Sequence, residues 1–205
     1  MLAVAGVMAR VSSQAMAIVL LIIAGRFLSV DEFGIYVLAS IMIILPLMLL
    51  YTGVYHYILR EPRFELTKGS AFSLQLVFAL ALSVFVLFIA CLTHVMGWGD
   101  LLANLIASTA LLPILGVFGS WNEGIVLRRG QVAYYYGCLF LSEFAGFIIG
   151  VYTLYVGYGV WSLIIGKFVT AIVFPMALAY KAERIPRPAW NRKDIPEIFN
   201  YAAGL

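Results

Sequence analysis

The sequence predicts an all-α integral membrane protein of six transmembrane helices followed by the start of a seventh, and three observations point there. Of 205 residues, 64% are hydrophobic and 11% charged, against about 45–50% and about 25% in soluble domains. Too few charges remain to cover the surface of a soluble core. Six runs reach the roughly 20 mostly apolar residues that a spanning helix needs: residues 5–24, 33–54, 70–96, 101–118, 133–156 and 160–180. Lys and Arg collect in alternate connections between those runs, which is the pattern of a chain threaded through a bilayer.

The first run ends in a polar break at 25–36, GRFLSVDEFGIY. Ser29 and Glu32 have the spacing of a capping box, in which each side chain satisfies a backbone N–H that the new helix leaves unpaired. Leu28 and Phe33 flank it where a hydrophobic staple forms, and Asp31 and Glu32 suit the positive end of the helix dipole. A tight turn at a membrane surface is expected. Pro46 in the second run and Pro113 in the fourth each remove a backbone hydrogen bond and should kink their helices. Short turns are expected at 97–100 and 157–159. Asn104 and Ser108 share a face of the fourth helix, where they could bond a neighbouring helix. After the sixth run Pro186 and Pro188 break the helix, and Asp194-Ile195-Pro196 introduces the last stretch. The division expected is a six-helix unit at 1–180, a basic connection at 181–196, and a start of helix seven at 197–205. That start stops short of spanning, so a longer protein is expected.

Orientation follows from the basic residues. Arg60, Arg63 and Lys68 join the second and third runs, Arg128 and Arg129 the fourth and fifth, and Lys181, Arg184, Arg187, Arg192 and Lys193 follow the sixth. The opposite connections carry Arg26 alone. This places the N-terminus and the basic loops in the cytoplasm. Aromatics at 134–136, 155, 158 and 161 read as an interfacial belt. Residues 33–38 and 158–163 both follow an outer turn and share the order aromatic, Gly, β-branched, aromatic, any residue, Leu, an echo that interfacial constraints or a duplicated hairpin would produce.

Ionisable residues inside the runs are the site candidates, because each costs several kcal/mol unless partnered, hydrated or neutralised. Arg10, Ser13 and Gln14 share one face of the first helix. Arg10 either snorkels to the cytoplasmic surface or faces an aqueous cavity. Glu143 lies near the middle of the fifth helix with Gly146 and Gly150 on its side, a spacing that permits close helix contact. Lys167 lies in the sixth helix beside a row of Ser162, Gly166 and Thr170. The two charges differ in depth by about 9 Å at 1.5 Å per residue, which disfavours a direct ion pair. Cys91 and Cys138 read as small buried hydrophobes. His56 and His94 stand alone, without metal-ligand spacing.

These residues resemble a known family. GRFLSVDEFGIYVLAS is similar to the first outer turn of the polysaccharide and O-antigen flippases, within the multidrug/oligosaccharidyl-lipid/polysaccharide exporter superfamily. That pattern of Arg-x-Leu, an acidic pair and aromatic-Gly-x-Tyr falls here on Arg26, Leu28, Asp31, Glu32, Phe33, Gly34 and Tyr36. NEGIVLRRGQ at 122–131 resembles the basic loop before the fifth helix. GYGVWSLIIGK at 157–167 resembles a Gly-x-Gly-Val-Trp-Ala-Leu turn, with Ser162 in place of Ala. RPAWNRKDIPEIFNYAAGL at 187–205 resembles the loop leading into a seventh helix.

The resemblance implies one lobe of a two-lobe transporter in the bacterial inner membrane. It implies export of an undecaprenyl-pyrophosphate-linked oligosaccharide by alternating access, with H⁺ or Na⁺ as coupling ion. Family cavities tend to be cationic, so Arg10 and Lys167 would supply charge for the lipid-linked substrate; Gln14 and Glu143 complete the candidates for substrate or ion. Membrane lipids and polysaccharide polymerase or assembly proteins are the other expected partners. No cofactor, metal, nucleic acid or enzymatic activity is expected. The alternatives are an ion-coupled exporter of drugs or organic cations, favoured by Glu143, a membrane sugar polymerase or ligase, and a non-transporting assembly subunit.

Overall fold

Apolar runs with small-residue faces and glycine-marked turns fold here into an all-α membrane protein. The computed structural model describes residues 2–50, 54–61, 64–182, 185–191 and 194–203. The helices are α1 (Leu2–Phe27), α2 (Val30–Leu50), α3 (Val54–Arg60), α4 (Phe64–Val95), α5 (Asp100–Ser108), α6 (Leu112–Arg128), α7 (Val132–Val156), α8 (Trp161–Ala179) and α9 (Asp194–Ala203). Among the described residues five spans are long and apolar enough to cross a membrane: Arg10–Phe27, Leu66–Val95, Asp100–Arg128, Val132–Val156 and Trp161–Ala179. With its 21 residues, α2 has the length for the other expected run. The basic positions Arg63, Arg184, Arg192 and Lys193 lie outside the described residues, as does the side chain of Pro46, through whose position α2 runs.

The turn at 25–36, outer in the expected orientation, forms as its residues dictate. The Ser29 N–H donates to Glu32 Oε2 at 2.9 Å, and the Glu32 N–H donates back to Ser29 Oγ at 3.3 Å. Leu28 and Phe33 enter the same apolar cluster. At 157–159 the chain reverses through Gly157 in the left-handed region at φ 94°, a conformation that a side chain would strain. The echo between 33–38 and 158–163 does not extend to conformation. The first stretch lies wholly within α2, whereas 158–160 is turn and helix resumes only at Trp161.

The fourth span differs from its expected limits. It runs from Asp100 to Arg128 rather than 101–118, and a 3-10 turn at Thr109–Leu111 separates α5 from α6. Pro113 explains the break, since it cannot donate the N–H that the Thr109 carbonyl would otherwise accept. The Leu112 N–H takes that carbonyl instead, one residue early. The stretch 122–128, expected as a loop, is therefore helical and largely buried. Likewise α4 begins at Phe64, so Lys68 is helical. α9 begins at Asp194, three residues before the expected start at 197.

Two seams organise the bundle. α1 packs on α7 and α7 on α8, while α6 joins α8 to α4, α2 and α3. The α7–α8 seam is the tighter one: a Cβ on Gly146 would fall 2.7 Å from the Gly166 carbonyl oxygen, and one on Gly166 2.9 Å from that of Gly146. Thr170 Oγ1 donates across the seam to the Ser142 carbonyl at 3.3 Å. The small-residue rows expected from sequence are thus the surfaces in contact. On the other side α9 docks against α3 and α4. Ile198 is fully buried there, and Ser70 Oγ donates to Asp194 Oδ2 at 3.0 Å.

Candidate functional site

Where α7 and α8 meet, the seam residues Ser142, Gly146, Gly166 and Thr170 also edge a cavity of about 610 Å³ that α1, α2 and α6 help to bound. Most of its wall is apolar, from residues such as Leu20, Leu112, Leu139, Phe147 and Phe174. Its ionisable lining residues are Glu123, Glu143, Lys167, Tyr36 and Tyr135. A membrane-embedded charge that faces such a cavity escapes the cost of facing lipid.

Glu143 and Lys167, both expected from sequence, share this cavity. They interact electrostatically without closing to a 4 Å ion pair, in keeping with their difference in depth. The lysine ammonium lies over the ring of Tyr36, 5.5 Å from its centroid, a cation–π contact that partly replaces lost hydration. Arg10 and Gln14 are both exposed and do not line the cavity wall. Helical periodicity places them on the face of α1 that carries the lining residues Ala17 and Leu21, closer to its N-terminal end.

The sequence reading missed Glu123. The residue is 7% exposed, and its carboxylate accepts a hydrogen bond from the Tyr55 hydroxyl of α3 at 2.8 Å. Tyr135 of α7 supplies a second side-chain hydrogen bond, and the Arg10 guanidinium acts on the carboxylate electrostatically. Four helices thus converge on one buried acid. The signal lay in the Ile125, Val126 and Leu127 that follow it, since an apolar triplet after a polar pair continues a helix more readily than a loop.

The two arginines next in sequence hold helix ends. Arg128 Nη1 donates to the carbonyls of Ile58 at 2.7 Å and Glu61 at 2.8 Å, at the end of α3. Arg129 Nη1 donates to the Lys181 carbonyl at 3.2 Å, just beyond α8. Both positions satisfy carbonyls that a helix end leaves unpaired. Asn122 Nδ2 donates to the Pro175 carbonyl of α8 at 3.0 Å.

Other polar candidates resolve differently. His94 does not stand alone, since its Nδ1 lies 3.0 Å from Asp100 Oδ1 across the outer turn. Ser108 Oγ bonds the Leu105 carbonyl of its own helix at 2.7 Å, while Asn104 is exposed. Cys138 is buried, but Cys91 is exposed on the surface of α4. Among the described residues no group of three or more His, Cys, Asp or Glu could hold a metal ion.

Residues 22–205 match the family model described as polysaccharide biosynthesis protein. The chain belongs to that family. No curated protein and no solved structure matches it. Membership in the polysaccharide biosynthesis family and the apolar spans together describe a membrane protein with a role in polysaccharide production. Two carboxylates and one amine stand in the cavity lining.

Proposed function

We propose that this chain is one lobe of a carrier that moves an undecaprenyl-pyrophosphate-linked oligosaccharide across the bacterial inner membrane by alternating access, with its N-terminus in the cytoplasm. The observation that carries the reading is the placement of Glu143 and Lys167 on one cavity inside a membrane bundle of this family. A polar headgroup needs a hydrated route, whereas its lipid tail remains in the bilayer. At about 610 Å³ the cavity has the scale of a small-molecule site, so it would take the polar headgroup next to the lipid and not the whole oligosaccharide. The proposed lobe performs no bond chemistry, a reading supported by the short turns at 96–99 and 157–160.

Deletion of the gene should leave lipid-linked glycan on the cytoplasmic leaflet, and the full-length protein should restore export. Lys167→Ala should lower export about tenfold, equivalent to about 1.4 kcal/mol, at an unchanged membrane level. Unchanged export would remove Lys167 from the mechanism. The excess of carboxylates in the lining favours a second reading, an exporter of organic cations. Cation efflux that is lost in Glu143→Gln, with glycan export intact in the deletion strain, would establish it over the first.

A further inference from the structure

The capping box and staple at 25–36 account for Ser29, Glu32, Leu28 and Phe33, and they leave Tyr36, one turn further into α2, without a task. Tyr36 is 8% exposed, packs in the apolar cluster that holds Ala39, Leu163 and Ile164, and lines the cavity. α2 packs chiefly on α4, α5 and α6, so the ring that meets the Lys167 ammonium belongs to a helix outside the α7–α8 seam. Across that seam Gly146 lies against Gly166, and Thr170 bonds the Ser142 carbonyl. The same register sets Glu143 level with Val169, two positions from Lys167 and about 3 Å in depth at 1.5 Å per residue.

We propose that Tyr36 is a positioning residue whose ring seats the Lys167 ammonium apart from Glu143, leaving in the cavity a positive charge that the carboxylate has not neutralised. An anionic headgroup next to a lipid then finds that charge available as a partner. The inference rests on the export reading for this use, whereas the seat itself needs no substrate.

Depth alone does not keep the two charges apart. Lysine carries its ammonium on a flexible four-carbon stem, long enough to cross about 3 Å, and opposite charges attract strongly beside a mostly apolar wall. Among the described residues the ammonium nevertheless makes no salt bridge or hydrogen bond, and its contact is the Tyr36 ring, 5.5 Å away at the centroid. The face of an aromatic ring is the negative end of its quadrupole, so it attracts a cation without cancelling the charge. A carboxylate would cancel it. An aliphatic side chain at position 36 offers no negative face, and the lysine would then turn to Glu143. The Tyr36 hydroxyl is not part of the seat, because the attraction comes from the ring.

The test is zero-length cross-linking of purified full-length protein with dicyclohexylcarbodiimide, an apolar reagent that activates carboxyl groups. An activated Glu143 carboxyl within reach of the Lys167 amine condenses with it to an amide and releases dicyclohexylurea. Out of reach, it rearranges to an N-acylurea. Mass spectrometry gives the ratio of the two products on the same residue. Wild type and Tyr36→Phe should give chiefly the acylurea, and Tyr36→Leu should raise the amide share about tenfold. Replacing Tyr36 by pentafluorophenylalanine keeps the ring's shape and reverses the charge on its face, so it should act as leucine does and guards against a misfolded variant. A ratio that is the same in wild type and Tyr36→Leu, or raised equally by Tyr36→Phe, would overturn the seat, as would a fluorinated ring that behaves like phenylalanine. In the deletion strain Tyr36→Leu should lower glycan export about tenfold when Glu143 is present, and less than about twofold in the Glu143→Gln background, where no carboxylate remains to capture the amine. Equal losses in the two backgrounds would also overturn it. Cross-linking that follows the ring in a protein that moves no glycan would instead refute the export reading and leave the seat standing.

Discussion

The turn at 25–36, outer in the expected orientation, and the end of α6 at 122–131, inner in it, are both polar interruptions beside long apolar runs, yet they are built in opposite ways. In the outer turn the partners are three residues apart, Ser29 with Glu32. At the inner end Glu123 bonds Tyr55 across 68 positions, and Arg128 bonds Ile58 across 70. A local polar motif fixes where one helix starts. A tertiary one ties several helices together, and the same residue types then serve the assembly rather than the turn.

That contrast is open to test, and the largest effect is expected at Arg128. Its guanidinium serves two carbonyls and lies over the Phe64 ring, 5.2 Å from its centroid. Hydrogen bonds to charged groups contribute about 1.5–3 kcal/mol, so Arg128→Ala should lower unfolding stability in detergent by about 2–4 kcal/mol. Arg128→Lys keeps the charge but loses the planar fork, and should still cost at least about 1 kcal/mol. A neutral lysine variant would reduce Arg128 to a topological charge and remove the contrast with the outer turn. Ser29→Ala comes next, with a loss of about 1 kcal/mol, the usual worth of an N-cap, measured in the same thermal unfolding assay.

The smallest effect is the pH dependence of the outer turn. Glu32 stands in the first turn of α2, outside the apolar spanning run, and the Ser29 N–H and hydroxyl hold its carboxyl below the ordinary glutamate value. A depressed folded-state pKa means stability that is present above the unfolded value and lost as pH falls through the folded one. Exposure to solvent keeps the contribution small. Unfolding should therefore show a slight loss of stability below about pH 4 that Glu32→Gln abolishes, and an unchanged acid limb in that variant would assign the dependence elsewhere.

The contrast also explains what the sequence made legible. Capping residues, turn glycines and the apolar runs encode their structure within a few positions, so α1, α2, α7 and α8 fell close to their expected limits. The faces of Gly146, Gly150 and Gly166 were legible from spacing, and with them the shared setting of Glu143 and Lys167. The inner end of α6 was not. Its polar residues depress local hydropathy as a loop would, and only partners on α1, α3 and α7 make their burial tolerable. Pro113 falls between these cases: its missing N–H predicts a break, but the break lies inside a span that continues to Arg128.

The unequal seams have a mechanical consequence. Along α7 and α8 backbone meets backbone at Gly146 and Gly166, so sliding one helix past the other requires the main chains to separate. Between α8 and α6 the contact runs through side chains, as where Asn122 Nδ2 donates to the Pro175 carbonyl, with the cavity beside it. The α7–α8 seam is therefore the stiffer of these contacts. A displacement of the blade formed by α1, α7 and α8 against the rest would spare its own interior, and hydrogen exchange should resolve it as a unit that opens as one.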